Sequence, residues 1–339
     1  MQGFSRGWRV GISLLLAVGL LGLFFRGVDW NAMGRALRGA DPLYLCGVVA
    51  VTLVTYAARA WRWGFLLAPL ARVPFPRLFS ATVIGFMSGM LVPRAGEVLR
   101  PYLVARKHPV STTAGFASIV LERLFDLITV LLLFALYLYV LPTPAAQTHG
   151  PLLGVLKIAG AAAGAGALAI LGVLLAWHRH AEPAMRLADR VLRPFPARFA
   201  GAVSRGVRAF GEGLAVLKAS PSHLAAILAQ SAVVWLLLAL GIYWNNRAFG
   251  LKLPYHTAFL ILAFLTVGVA IPTPGTVGGF HAFYRAALTQ AYGVDNDVAA
   301  AAGIASHALS NLPVLLLGLA LLGREGLTVG KVANMSEAR

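Results

Sequence analysis

Pro93-Arg94-Ala95-Gly96-Glu97-Val98-Leu99-Arg100-Pro101 is the stretch on which the reading of this chain turns. Two arginines and a glutamate stand in a segment broken by proline and glycine, directly after the apolar run from Leu78 to Val92. A second apolar run follows and carries Glu122, Arg123 and Asp126. An ionisable side chain at membrane depth costs roughly 2.5–3.5 kcal/mol on insertion scales, so such groups are functional candidates by default. Proline and glycine free backbone groups that lipid cannot satisfy, so the segment is buried in protein or lines a wet cavity. The alternative is a short cytoplasmic loop whose charges are simply hydrated.

Composition fixes the class around it. The 339 residues are 59% hydrophobic and 12% charged, with a mean hydropathy of +0.77. Soluble domains carry about 25% charged residues. The apolar runs are long enough for spanning helices, and the alternating strands of a membrane barrel are absent. The chain is therefore an all-α polytopic membrane protein. Its net charge of +17 comes from 29 Lys and Arg against 12 Asp and Glu. In a soluble protein that excess would point to nucleic acid; here it reflects basic loops facing anionic lipid, and no nucleic-acid partner is expected. The single cysteine, Cys46, excludes an internal disulfide and a cysteine-based zinc site. No Walker loop, dinucleotide glycine fingerprint or H-E-x-x-H helix occurs, so no cofactor or metal is expected.

Working outward from the broken segment, helix 1 runs from about Trp8 to Phe25 behind Arg6 and Arg9, and reads as an uncleaved signal anchor. Helix 2 opens at Asp41-Pro42 and continues to Ala58, where Arg59-Ala60-Trp61-Arg62-Trp63 reads as an interfacial belt. The run from Leu78 to Val92 covers only about 22 Å, short of the roughly 30 Å hydrocarbon core. Basic residues lie before and after it, so Pro93 and Gly96 mark the turn of a hairpin that dips in and returns. Helix 3 spans about Thr113 to Leu141, and helix 4 Leu152 to Trp177. Residues 178–220 carry eight Lys and Arg against three acids and form a basic amphipathic cytoplasmic segment. Helix 5 opens at Ser220-Pro221. A second broken unit follows at Pro272-Thr273-Pro274-Gly275-Thr276-Val277-Gly278-Gly279, and helix 6 runs from Val298 to Leu322.

Helix 2, hairpin and helix 3 form one unit, residues 41–141; helix 5, hairpin and helix 6 form a second, residues 221–322, of opposite topology. The expected architecture is six spanning helices plus two re-entrant hairpins in an inverted repeat, within one transmembrane domain over residues 1–339. If both hairpins span, the count is eight helices. Inverted repeats with broken helices belong to secondary transporters, whose sites lie near mid-membrane.

Glu122 and Asp126 share a helix face, while Arg123 lies about 100° round. Two carboxylates so placed require cations. Arg94 and Arg100 are the expected partners, with Glu97 pairing to Arg100 or Arg123. An arginine left over would suit an anionic substrate, since guanidinium binds phosphate through paired hydrogen bonds. The competing reading is a closed ion-pair lock with no substrate contact. In the second unit, Gly275, Gly278 and Gly279 let backbone N–H groups converge on an anion, or they merely allow tight helix packing. His281 and Arg285 are four apart, as are His307 and Asn311. A lone membrane histidine is more often a packing residue, yet His307 on helix 6 is the best candidate for a proton-linked group.

At Pro93-Arg94-x-Gly96-Glu97-x-x-Arg100, Glu122-Arg123-x-x-Asp126 and Pro272-x-Pro274-Gly275-x-x-Gly278, the sequence resembles the flippase-like membrane domain of lysylphosphatidylglycerol synthases. The resemblance covers almost the whole chain. It implies a bacterial inner-membrane protein that moves an anionic or modified lipid between leaflets, while the basic start of the chain and the Arg324 that follows helix 6 place both termini in the cytoplasm. It also implies that Arg94, Glu97, Arg100, Glu122, Arg123 and Asp126 surround the headgroup. Thr276 stands where the family often has glycine, and His281 where an acid is common, which bears on the substrate. No aminoacyl-transferase domain follows helix 6, so lysyl transfer and enzyme activity are not expected. The partners implied are membrane lipids, with a second copy of the chain or a lipid-modifying enzyme as protein partner. The rival functions are an intramembrane enzyme using Glu97, Glu122, His281 and His307, and a non-transporting accessory subunit for lipid or glycan modification.

Overall fold

The computed structural model describes residues 3–91, 95–141, 154–155, 157–170, 172 and 221–326. Pro93, Arg94 and the basic segment 178–220 lie outside these residues. All regular structure among the described residues is helical. In chain order the helices are α1 (Gly3–Phe25), α2 (Trp30–Arg38), α3 (Pro42–Leu67), α4 (Phe75–Leu91), α5 (Ala95–Ala105) and α6 (Thr112–Tyr139). There follow α7 (Lys157–Ile170), α8 (Pro221–Ala248), α9 (Thr257–Ala270), α10 (Gly279–Tyr292) and α11 (Asn296–Arg324).

By length and composition α3, α8 and α11 can cross a membrane, and α1 with α2 qualify together as a pair bent by 86°. α6 has 28 residues, enough to cross, but carries Glu122, Arg123 and Asp126 in its middle. The chain is thus a multi-pass helical membrane protein. Its helix starts follow the sequence chemistry. Asp41 accepts from the Leu43 N–H at 2.8 Å ahead of Pro42, Ser111 accepts from the Ala114 N–H at 3.1 Å, and Asp295 accepts from the Asp297 N–H at 2.9 Å. Asp29 caps α2 by accepting from the Asn31 N–H at 2.8 Å.

One sequence expectation is overturned in α3. The helix does not stop at Ala58 but continues to Leu67, because no proline interrupts it before Pro69. Arg59 and Arg62 are consequently 8% and 0% exposed, and Trp63 is fully buried. They belong to the core, not to an interfacial belt.

α4 and α5 form one helical hairpin, α9 and α10 a second. Each is closed by the same device. A Cβ on Gly96 would lie 2.0 Å from the Gly85 carbonyl oxygen, and one on Gly279 would lie 2.3 Å from that of Gly268. Both glycine pairs are eleven residues apart. Backbone therefore touches backbone where the arms cross, which only glycine permits.

The hairpins open at opposite ends of the bundle. α3 and α8 run antiparallel: the Asp41 N–H donates to the Ala248 carbonyl at 2.9 Å, and His223 Nε2 meets the Phe65 carbonyl at 3.0 Å. At the open end of the first hairpin, Arg77 and Lys107 reach Glu325, just past α11, at 3.1 and 2.6 Å. At the open end of the second, the Tyr292 hydroxyl donates to the Tyr137 hydroxyl near the end of α6 at 2.8 Å. The tip of the second hairpin reaches the end of α4: a Cβ on Gly275 would stand 3.7 Å from the Met90 carbonyl oxygen. One apolar core, with Trp63, Leu66, Ile84 and Phe125, supports the first hairpin. Another, with Tyr137, Leu260, Tyr284 and Leu288, supports the second.

Three outcomes are expected. Gly96→Ala forces the arms of the first hairpin apart and should destabilise by about 1–3 kcal/mol. Gly89→Ala, with nothing within 4 Å, should leave the unfolding midpoint in detergent unchanged or raised. At the open end, the hydrogen bond from Lys107 holds the Glu325 carboxyl below its ordinary range. The clip therefore stabilises above the unfolded value near 4.5 and is lost as pH falls through the lower folded value. Being near the surface, it contributes under about 1 kcal/mol; Glu325→Gln should remove that small pH dependence from the unfolding curve.

Candidate functional site

Between the hairpin tips and the α3–α8 pair lies a cavity of about 490 Å³. Arg59, Glu97, Arg100 and Arg123 form one wall, with Phe86 among them. Ile242, Leu262, Leu265 and Val269 line an apolar side. Gly275, Thr276, Ser306, Ser310 and Asn311 bring polar groups from the second hairpin and α11. The space is amphipathic, cationic at one side and hydrocarbon-like at another.

The cationic wall is built on two buried carboxylates of α6. Glu122, fully buried, accepts from both terminal nitrogens of Arg100, at 3.1 and 3.0 Å, and from Arg123. Asp126 Oδ1 accepts from Arg62 Nη1 at 2.7 Å and from the Trp235 indole N–H at 3.1 Å. Arg62 also donates to Ser231 at 3.0 Å and approaches Glu122 at 3.6 Å. The ion pairs thus join α3, α5 and α6, and the hydrogen bonds of Ser231 and Trp235 add α8. Breaking such a pair from one side leaves an uncompensated buried charge, a cost of about 3–5 kcal/mol.

Arg59 and Arg123 sit at the cavity face. Arg123 Nη1 lies 3.4 Å from Asp126 Oδ2, and Arg59 Nη1 lies 3.7 Å from the same oxygen. The side chain of Arg123 is 41% exposed. The guanidinium carbons of Arg59, Arg100 and Arg123 stand 5.1, 5.4 and 5.6 Å from the Phe86 ring centroid, and that of Arg100 is 4.5 Å from Trp63. Aromatic faces thus separate cations that would otherwise repel at close range.

The second hairpin contributes a different chemistry. His307 Nε2 lies 2.8 Å from the Gly275 carbonyl, a distance at which it donates, and Asn311 donates to the His307 carbonyl at 2.8 Å. The His281 and His307 rings are 4.5 Å apart, and His281 Nδ1 lies 3.4 Å from the Gly278 N–H. Phe280 packs against both rings. Arg285 turns away and donates to the Leu23, Phe24 and Arg26 carbonyls at the end of α1. Gly278 is pressed against α1, where a Cβ would lie 2.7 Å from Leu20 Cβ.

Of the residues expected from sequence, Glu97, Arg100, Arg123, Gly275 and Asn311 line the cavity. Glu122 and Asp126 lie behind its wall as the anchors of the arginines. Gly278, His281 and His307 support the hairpin tip beside it. Gly96 makes the hairpin crossing, and Pro272 and Pro274 flank the tip of the second hairpin, with Pro274 opening a short 3-10 turn. Pro93 and Arg94 are outside the described residues. Glu97 is exposed on the wall and makes no hydrogen bond or ion pair among the described residues, whereas Arg100 and Arg123 go to Glu122. Sequence reading missed Arg59, Arg62, Phe86, Ser231 and Trp235. The spacing of Arg59 to Arg62, and of Ser231 to Trp235, places each pair on one helix face, a signal that was available. Among the described residues no three of His, Cys, Asp and Glu converge as a metal-binding set.

A multi-pass helical membrane protein with a charged, hairpin-lined central cavity is the class these features define. The chain matches the lysylphosphatidylglycerol synthase TM region over residues 10–318 and belongs to that family. It is also similar to the glycosyltransferase AglD of Haloferax volcanii, at 24% identity over 90% of this chain and 53% of that protein. The chain spans about half the length of that relative.

Thr276 sits in an unusual backbone conformation. Its φ is +57°, in the left-handed region that disfavours a β-branched side chain, and it follows Gly275 at +60°. Its hydroxyl donates to the Gly275 carbonyl at 2.7 Å, offsetting part of the strain. Thr276→Gly should stabilise the fold by about 1 kcal/mol net, seen as a higher unfolding midpoint.

Proposed function

We propose that this protein moves the anionic or modified headgroup of a lipid between leaflets through its central cavity. The observation that carries this is the amphipathic lining, with guanidinium groups on one wall and Leu262, Leu265 and Val269 on another. A headgroup with its acyl chains needs both. The hairpins fit re-entrant elements of an inverted repeat: their arms of 17, 11, 14 and 14 residues are mostly short for a bilayer. Their opposed open ends and matching glycine crossings support the same reading, and alternating access then follows from movement of one unit against the other.

On this reading the protein is a transporter and not an enzyme, works passively or with ion coupling, and sits in a bacterial inner membrane with both termini cytoplasmic. Membrane lipids are its ligands, and a second copy or a lipid-modifying enzyme its protein partner. The similarity to a protein named a glycosyltransferase, of which this chain matches about half, favours a second reading. In it, the chain serves lipid or glycan modification as an accessory membrane subunit. Co-purification with such an enzyme, without lipid movement by the chain alone, would select it.

The test is headgroup translocation in proteoliposomes carrying fluorescent phospholipid. Arg123→Ala should lower the rate at least tenfold in protein that still elutes as a single folded species. Wild-type protein that moves no lipid, or a variant that moves it undiminished, would remove the cavity from the mechanism.

A further inference from the structure

We infer that Arg59 is a substrate-binding residue: with Arg123 it clamps the phosphate group of the lipid, while Arg62 and Arg100 only hold the wall together. The identity of the ligand as a lipid rests on the transport reading; the clamp itself rests on how the four arginines are committed.

Arg62 and Arg100 are paired. Arg100 gives both terminal nitrogens to Glu122, and Arg62 is tied to Asp126 and Ser231. Each has a carboxylate as its own partner, and each is at most 2% exposed. Arg123 shares both carboxylates with these two, and its side chain is still 41% exposed. Arg59 is the extreme case. Among the described residues it makes no hydrogen bond, and its one ion-pair contact is the 3.7 Å approach to an Asp126 oxygen that Arg123 approaches more closely. Yet Arg59 is only 8% exposed, and its Nη1 is buried without a hydrogen-bond partner. A guanidinium stays charged in a protein, and a buried charge requires a counter-charge.

Charge balance agrees. Among the described residues four guanidiniums face Glu122, Asp126 and Glu97 at this wall, leaving one positive charge over. A phosphodiester carries one negative charge and several acceptor oxygens, and planar guanidiniums match it through paired hydrogen bonds. Arg59 and Arg123 flank the same Asp126 oxygen and the same Phe86 ring, so one phosphate can reach both. The apolar side of the cavity then receives the acyl chains. Arg59 comes from α3 and Arg123 from α6, so a phosphate held between them also bridges two helices.

A residue held for binding and a residue held for structure respond oppositely when removed, and this is the basis of the test. The full chain is purified in neutral detergent, and its unfolding midpoint is read with dioctanoyl phosphatidylglycerol, with dioctanoyl glycerol, which lacks phosphate, and with sodium phosphate. Phosphatidylglycerol should raise the wild-type midpoint by several degrees over the glycerolipid. Arg59→Gln should lose at least half of that shift while unfolding, without lipid, at the wild-type temperature or above, because a surplus cation has left a crowded group. Arg62→Gln and Arg100→Gln should lower the lipid-free midpoint. Arg59→Lys keeps the charge but not the fork, should fold as wild type, and should lose part of the shift. The inference is overturned if Arg59→Gln and Arg59→Lys keep the full phosphatidylglycerol shift. It is equally overturned if Arg59→Gln lowers the lipid-free midpoint as far as Arg62→Gln does, or if no phosphate compound shifts the wild type. An Arg59-dependent shift given equally by sodium phosphate upholds the clamp and refutes the lipid as its occupant. An Arg59-dependent phosphatidylglycerol shift in a protein that moves no lipid upholds the clamp and refutes transport.

Discussion

Two carboxylates on one face of a membrane helix cannot stand without cations, and this requirement organises the molecule. Glu122 and Asp126 draw Arg62 from α3, Arg100 from α5 and Arg123 from their own helix, with Ser231 and Trp235 of α8 completing the group. The pairing fixes the first hairpin against α6 and α6 against the α3–α8 pair. It also puts the end of α4 where the second hairpin reaches it. Hydrophobic association gives little preference for one helix face over another inside a bilayer, since lipid is as apolar as leucine. Ion pairs and glycine crossings are directional and therefore do the selecting.

The glycine crossings work at the level of the backbone. Gly85 against Gly96, and Gly268 against Gly279, bring two arms close enough that carbonyl and Cα touch. Short arms with such contacts expose little polar backbone along their length, and leave the unsatisfied groups at the tips. There the structure supplies partners: the Gly275 carbonyl faces His307, and the Gly278 N–H faces His281. The two histidines thus brace a loop that also holds a left-handed threonine.

Much of this was legible in the sequence, for stated reasons. Glu122 and Asp126 stand out because charge in an apolar run is costly, and the two hairpins stand out because proline and glycine interrupt runs too short to span. Arg59 and Arg62 were not legible as buried groups. Alternating arginine and tryptophan fits an interfacial belt equally well, and only the continuation of α3 to Leu67 decides between the two. Gly85 and Gly268 look like ordinary small residues in apolar helices; their role emerges when each is found eleven residues ahead of Gly96 or Gly279. The contact of His281 with His307 depends on packing between α10 and α11, which no local spacing encodes.

The cationic wall is hard to explain as a device for stability alone. Two guanidiniums suffice to neutralise Glu122 and Asp126, and Arg62 with Arg100 already do so through direct hydrogen bonds. Adding Arg59 and Arg123 places further positive charge beside them, at a mutual repulsion that the Phe86 ring only partly relieves. Replacing a buried ionic cluster by apolar residues is often neutral or stabilising. Glu97, facing the same space, offsets one surplus charge and leaves the other. Among the described residues the wall is thus left with one positive charge more than its carboxylates can balance, a surplus that matches a single monoanion.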